Sequence, residues 1–119
     1  MSGRVFAVHA ACLRGVEAVP VTVEVALGGG LPSLSIIGMP DLTILDARGR
    51  MRGAMRSAGF EVPRCSITVN LAPANLKKEG TVYDLPLLLG ILAGEGEIDA
   101  PDPASAFIGE LSLTGALRP

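Results

Sequence analysis

The stretch Ser66 to Gly94, SITVNLAPANLKKEGTVYDLPLLLGILAG, constrains the fold most, because a strand, a polar loop and an apolar helix must follow one another within it. Ile67, Val69 and Leu71 alternate with Ser66, Thr68 and Asn70, the period-2 pattern of a strand with one face on a core. Ala72-Pro73 ends that strand, since proline cannot donate to a ladder. Beyond the loop, Asp84 is placed as the N-cap of a helix. Pro86 falls inside the first turn, where its missing N–H has no intrahelical partner. Leu85, Leu87, Leu88, Leu89, Ile91 and Leu92 make this helix apolar nearly all round, so it is expected to be buried on most faces.

The segments before it supply the rest of a sheet. Val5–Leu13 and Val19–Leu27 flank Arg14-Gly15 and predict an antiparallel pair, with Val21, Val23 and Val25 on one face and Thr22 and Glu24 on the other. Gly28–Gly30 reads as a turn into a third strand, Leu31–Ile37. It does not read as a phosphate loop, because it lies between strands and no Lys-Ser or Lys-Thr follows; no Walker A pattern occurs anywhere in the chain.

The longest helix is predicted over Pro40–Ala58, with Pro40 near its first position and Gly59 as its stop. Ile44, Ala47, Met51, Ala54, Met55 and Ala58 share one arc and form the core face. Beside them Arg48, Arg52 and Arg56 make a basic stripe at i, i+4 and i+8, while Arg50 points elsewhere. Gly49 and Gly53 fall outward, each costing about 1 kcal/mol against alanine. A closely approaching backbone or phosphate would explain them. Phe60–Arg64 leads back to the central strand. GEGEIDAPDPAS reads as a surface loop whose Glu95, Glu97, Asp99 and Asp102 are solvated, and Ala106–Leu111 and Leu113–Leu117 read as two short extended segments.

A chain of 119 residues fits one domain and buries about two-thirds of its unfolded surface. With 3% aromatics and no Trp, the core must be Val, Ile, Leu, Ala and Met. Charged residues make up 18%, less than the usual quarter, which implies that something else covers part of the surface. The net charge of −2 excludes a domain that binds nucleic acid through overall charge, while leaving room for a local basic patch. Cys12 and Cys65 have no metal-ligand spacing and read as buried free thiols. No signal peptide or membrane-length apolar run is present, so a cytoplasmic protein with no membrane contact is expected.

Candidate chemistry is sparse. The lone histidine, His9, lies in an alternating apolar strand and reads as structural. Glu79 and Asp84 are the only carboxylates of the central loop, and no group has metal-ligand spacing. Lys77 or Lys78 with Thr81 or Tyr83 is the one lysine–hydroxyl pairing available for nucleophilic catalysis. Arg48, Arg52 and Arg56, with Arg64, Lys77 and Lys78, are candidates to meet phosphates. With so few aromatics to stack on bases, such contact would be indifferent to sequence. A solvated or salt-bridged arginine face accounts equally for these residues.

The runs NLAPANLKKEGTVYDLPLLLGIL and IGELSLTGALRP, with PVTVEV, GLPSLSIIGMPD and AGFEVP before them, resemble the N-terminal domain of the ComM/YifB family of magnesium-chelatase-like AAA+ ATPases, over nearly the whole chain. Lys77 stands where that family frequently has proline. The resemblance implies an α+β fold, a mixed sheet of about five to seven strands on two main helices, like the proteolytic domain of Lon. Lon's catalytic loop would fall on Lys78, Glu79, Gly80, Thr81 and Val82, with valine at the position of the serine nucleophile. It thus implies one non-catalytic domain, residues 1–119, without catalytic residues, metal or cofactor of its own, and an apolar end at Pro119 suggests that more chain follows. An AAA+ ATPase domain holding ATP and Mg would follow. Proteins of that family act as hexameric helicases in DNA branch migration during natural transformation. This domain would guide DNA, independent of sequence, or help assemble the ring through self-association, using the arginine stripe or the loop Asn75–Tyr83. The alternatives are a module that recruits a protein partner, and a Lon-like peptidase using a displaced hydroxyl.

Overall fold

Period-2 alternation builds the sheet. The computed structural model describes residues 5–118; the apolar end at Pro119 lies outside the described residues. Strands β1 (Val5–Arg14), β2 (Glu17–Gly28), β3 (Ser33–Ile37) and β4 (Ser66–Ala72) form a mixed sheet in the order β1-β2-β4-β3. β2 runs antiparallel to both β1 and β4, and β3 runs parallel to β4. The register sets Val8 against Val23 and Val25 against Val69. Val8, Ala10, Val21, Val23, Val25, Ile67, Val69 and Leu71 thereby form one continuous buried face.

A parallel pair requires a crossover, here supplied by the helical segment between β3 and β4. The single helix predicted over Pro40–Ala58 is two: α1 (Leu42–Leu45) and α2 (Ala47–Ser57), with the break at Asp46. Pro40 lies ahead of the first cap, which is Asp41; its carboxylate accepts the N–H of Ile44 at 2.9 Å and satisfies a donor that the helix cannot. α2 stops as expected at Gly59, which has φ +86°. The N–H of Phe60 reaches the carbonyl of Met55 and that of Gly59 reaches Arg56, the paired bonds that close a helix through a left-handed glycine. Ile44, Ala47, Met51, Ala54 and Met55 are buried as their arc predicts. Ala58, at the cap where the helix has ended, is exposed instead.

Helix α3 (Asp84–Gly94) packs across β1 and β2. A Cβ on Gly90 would stand 2.5 Å from Val25 Cγ2, and one on Gly94 would stand 2.8 Å from Leu27 Cδ1. Two glycines one turn apart therefore set how near the helix lies to the sheet. Asp84 is the first residue of α3, and the cap position is Tyr83.

β5 (Glu110–Leu111) and β6 (Leu117–Arg118) form a separate two-stranded ribbon, shorter than the segments expected over Ala106–Leu111 and Leu113–Leu117. The cause lies in where the preceding backbone bonds go: Phe107 N–H to the His9 carbonyl and Gly109 N–H to that of Val82. The architecture is α+β, with a mixed sheet of four strands among the described residues in place of five to seven, and with α2 and α3 as its two main helices.

Candidate functional site

Of the three charged residues in the polar loop between β4 and α3, Lys77 and Glu79 are exposed and Lys78 turns inward. Lys78 is completely buried. Its ammonium donates to the carbonyls of Gly38, at 2.8 Å, and Pro73. Its backbone clasps the same segment, its N–H on the Met39 carbonyl and its own carbonyl accepting from Asp41 N–H. Burial pushes the pKa of this ammonium below the usual lysine range. Gly38 makes the clasp feasible. It has φ +103°, and a Cβ there would stand 2.2 Å from the Leu71 carbonyl oxygen, so any other residue would be strained and obstructed.

Gly80 and Thr81 are tied in similar fashion. Asp41 Oδ2 accepts the Gly80 N–H at 3.1 Å, and the Thr81 hydroxyl donates to Glu110 at 2.8 Å. Asp84, expected as a cap, instead accepts from Arg50 Nε at 2.6 Å, Arg50 Nη2 at 2.9 Å and the Leu111 N–H at 3.1 Å. Only 1% of the Asp84 side chain is exposed, against 22% for Arg50. The Asp84 hydrogen bond raises the pKa of the Arg50 guanidinium. Arg50 also donates to the Thr43 carbonyl. A bidentate, charge-assisted pair thus joins α2 to the start of α3 and to β5.

This geometry redraws the set of cations nominated from sequence. Lys78 is not a surface group able to meet phosphate, because its ammonium lies inside the protein on two carbonyls. Lys77 is exposed and pairs with Glu79 at 3.5 Å. Val82 is half-buried, and its carbonyl accepts the Gly109 N–H. Arg50, set apart in sequence from the stripe, proves to be the structural arginine. Sequence offered no signal of its buried carboxylate.

The arginine stripe is exposed along α2. Arg48 Nη2 donates to the Leu34 carbonyl at 2.7 Å. Arg52 and Arg56 meet Arg64, from the segment before β4, around an open concavity of about 500 Å³ that Phe60, Glu61, Val62 and Pro63 also line. Neither ion pairs nor hydrogen bonds hold these three guanidiniums among the described residues. The two outward glycines of α2 differ. A Cβ on Gly53 would stand 2.8 Å from Leu113 Cδ2, whereas one on Gly49 would meet nothing within 4 Å. The chain itself is therefore the close approach at Gly53 but not at Gly49.

Among the described residues, no three His, Cys, Asp or Glu side chains converge as metal ligands, and no helix is long and apolar enough to cross a membrane. A family model described as subunit ChlI of Mg-chelatase matches residues 23–119. The chain is 46% identical over 112 residues to the protein named YifB of Salmonella typhimurium and to that of Escherichia coli. It is 45% identical over 112 residues to competence protein ComM of Haemophilus influenzae. Each match covers 93% of this chain but 22% of the relative, so the chain spans about a fifth of the length of these proteins. Matched over most of its length by that family model and at close to half identity by YifB and ComM, the chain belongs to the Mg-chelatase ChlI family, in the ComM/YifB group.

Proposed function

We propose that this domain guides DNA for a ComM-like AAA+ motor, as a non-catalytic part of a longer cytoplasmic polypeptide whose ATP- and Mg-binding site lies elsewhere. The observation that carries the reading is the Arg52, Arg56 and Arg64 concavity, where three guanidiniums without protein partners face outward on a domain of net charge −2. A cluster with no ion pair among the described residues, on a domain of net negative charge and with Glu61 the one carboxylate lining its concavity, suits the regularly spaced phosphates of a nucleic acid backbone. The half-buried Phe60 beside it offers a single aromatic face, enough for a base at a strand end but not for reading a sequence. The name of the relative ComM, a competence protein, supports linking that DNA to natural transformation, and a role in branch migration is what the family resemblance implies. The non-catalytic reading rests on Val82 at the serine position of the Lon-like loop, and on Lys78, whose ammonium is occupied by the Gly38 and Pro73 carbonyls.

Fluorescence anisotropy on labelled single-stranded and duplex DNA over a salt series tests this reading, with an Arg52→Ala, Arg56→Ala, Arg64→Ala variant alongside. Binding that weakens with salt, with a shallower salt dependence in the variant, is the expected result. Absence of binding in the wild type, or equal binding by the variant, would remove the DNA role. A second reading, recruitment of a protein partner, is favoured by the exposed apolar side chains of Met39, Leu42 and Leu45, close together in sequence around α1, since clustered exposed apolar groups mark contact surfaces. A domain silent toward DNA would leave that reading standing.

A further inference from the structure

The two edges of the main sheet are finished differently. At the β1 edge, Ala106 bridges to His9 and Phe107 N–H bonds the His9 carbonyl, so a following segment covers part of it. The β3 edge is paired with no strand among the described residues. Its sequence, Ser33-Leu34-Ser35-Ile36-Ile37, contains no charge and no proline, the usual devices that keep an edge from pairing.

The direction of its free backbone groups follows from the register. Ser33 pairs with Ser66, and its N–H reaches the Cys65 carbonyl. In a parallel ladder this points the backbone of residues 33, 35 and 37 at β4, and that of Leu34 and Ile36 at the open edge. The Arg48 guanidinium on the Leu34 carbonyl, at 2.7 Å, agrees with that direction. Beside the edge runs an open groove of about 520 Å³ lined by Leu34, Ile36, Leu45, Asp46, Arg48 and Gly49.

We propose that a second copy of this chain occupies the groove, its β3 pairing antiparallel with β3 across a two-fold axis through Ser35. Three observations select a copy of the same chain. In that register Leu34 lies opposite Ile36 of the second copy, so the two residues whose backbone groups face outward exchange both ladder bonds, and apolar side chains meet on the core side. Asp46 and Arg48 both line the groove, so the two-fold gives each carboxylate the other copy's guanidinium, a self-complementary charge pattern of the kind an isologous contact requires. Arg48 then exchanges the Leu34 carbonyl for a carboxylate. Gly49, whose missing side chain no part of its own chain explains, leaves the groove wall bare where the second copy approaches. The contact closes on two copies and is separate both from a head-to-tail ring contact and from the Arg52, Arg56 and Arg64 concavity.

The test is sedimentation velocity of the chain over a dilution series, with three variants. The wild type is expected to form a concentration-dependent dimer of twice 12.2 kDa. Ser35→Lys, which sets like charges face to face at the axis, is expected to raise the dissociation constant about tenfold or more. Ser35→Cys is expected to form a disulfide-linked dimer under mild oxidation, since residues at a non-hydrogen-bonded antiparallel site lie within disulfide reach. Thr68→Cys, exposed on the adjacent β4, serves as the control that stays unlinked. The proposal is overturned if the wild type is monomeric throughout, if folded Ser35→Lys dimerises as the wild type does, or if Ser35→Cys links no faster than Thr68→Cys. Should Ser35→Lys fail to fold, the cross-linking comparison decides alone. Arg52→Ala, Arg56→Ala, Arg64→Ala should leave the dimer unchanged, which separates this outcome from that of the DNA experiment.

Discussion

Two groups of cations sit within a short distance of each other in sequence and do opposite things. Arg50 and Lys78 are turned inward and held by Asp84 and by main-chain carbonyls. Arg52, Arg56 and Arg64 are exposed around one concavity with no protein partner among the described residues. Arg50 and Arg52 lie on the same helix two residues apart, so about 200° of rotation separates structure from surface. The lesson is that residue type states what a group is able to bind. Phase and tertiary neighbours decide whether the fold has already taken it.

The sharpest way to break that contrast is Arg50→Ala, which leaves the Asp84 carboxylate buried without its counter-charge. A loss of about 3–5 kcal/mol in urea unfolding is expected. A cost under about 1 kcal/mol, in the range of exposed pairs, would mean that Asp84 is solvated and that the division between the two groups is wrong.

Lys78→Met comes next. It leaves the Gly38 and Pro73 carbonyls without their donor, at a cost of about 2 kcal/mol near neutral pH. It also carries a pH signature. The folded-state pKa of Lys78 is lowered, so between that value and the ordinary 10.5 the unfolded chain binds the extra proton. Stability of the wild type should therefore rise relative to Lys78→Met as pH increases through that window, and level off above it. Urea melts of both proteins over an alkaline pH series provide the measurement; parallel curves would contradict an ammonium held against a desolvation penalty.

The glycines of α2 test the same inside–outside division without charge. Gly49→Ala meets open space and should stabilise by about 0.5–1 kcal/mol through helix propensity. Gly53→Ala must displace Leu113, including its backbone, 3.2 Å from the added Cβ. It should melt below Gly49→Ala in parallel thermal scans, and the reverse order would place the β5–β6 connection elsewhere. The smallest stability effect is expected from removing Arg52, Arg56 and Arg64 together. Each surface change should stay within about 0.5 kcal/mol by urea unfolding, while DNA affinity carries the loss. A large stability loss would show that these arginines, too, are structural.

Local patterns are legible in the sequence where their cause is local. The alternation of Ser66–Leu71, the apolar run of α3, the buried arc from Ile44 to Met55 and the stop at Gly59 all follow from periodicity or from a residue's own backbone preference. Asp84 departs from the cap rule because that rule considers only neighbouring N–H groups, whereas Arg50, 34 positions away, and the Leu111 N–H take its carboxylate. Lys77 and Lys78 are adjacent and identical in type, yet one is exposed and the other wholly buried. Nothing within the loop distinguishes them. Gly53 was legible as an anomaly, and its cause, Leu113, was not.

By itself, then, the sequence determined which residues alternate as strands, which helix faces are apolar, and where two main helices fall. Those features depend on contacts and torsions within a few residues. Tertiary structure alone decided that the sheet joins its strands in the order β1-β2-β4-β3, that Lys78 points inward and that Arg50 binds Asp84. It also decided that Arg64 joins Arg52 and Arg56. Each of these joins segments far apart in the chain, and the energy that selects them, desolvation set against pairing, exists only once those segments have met.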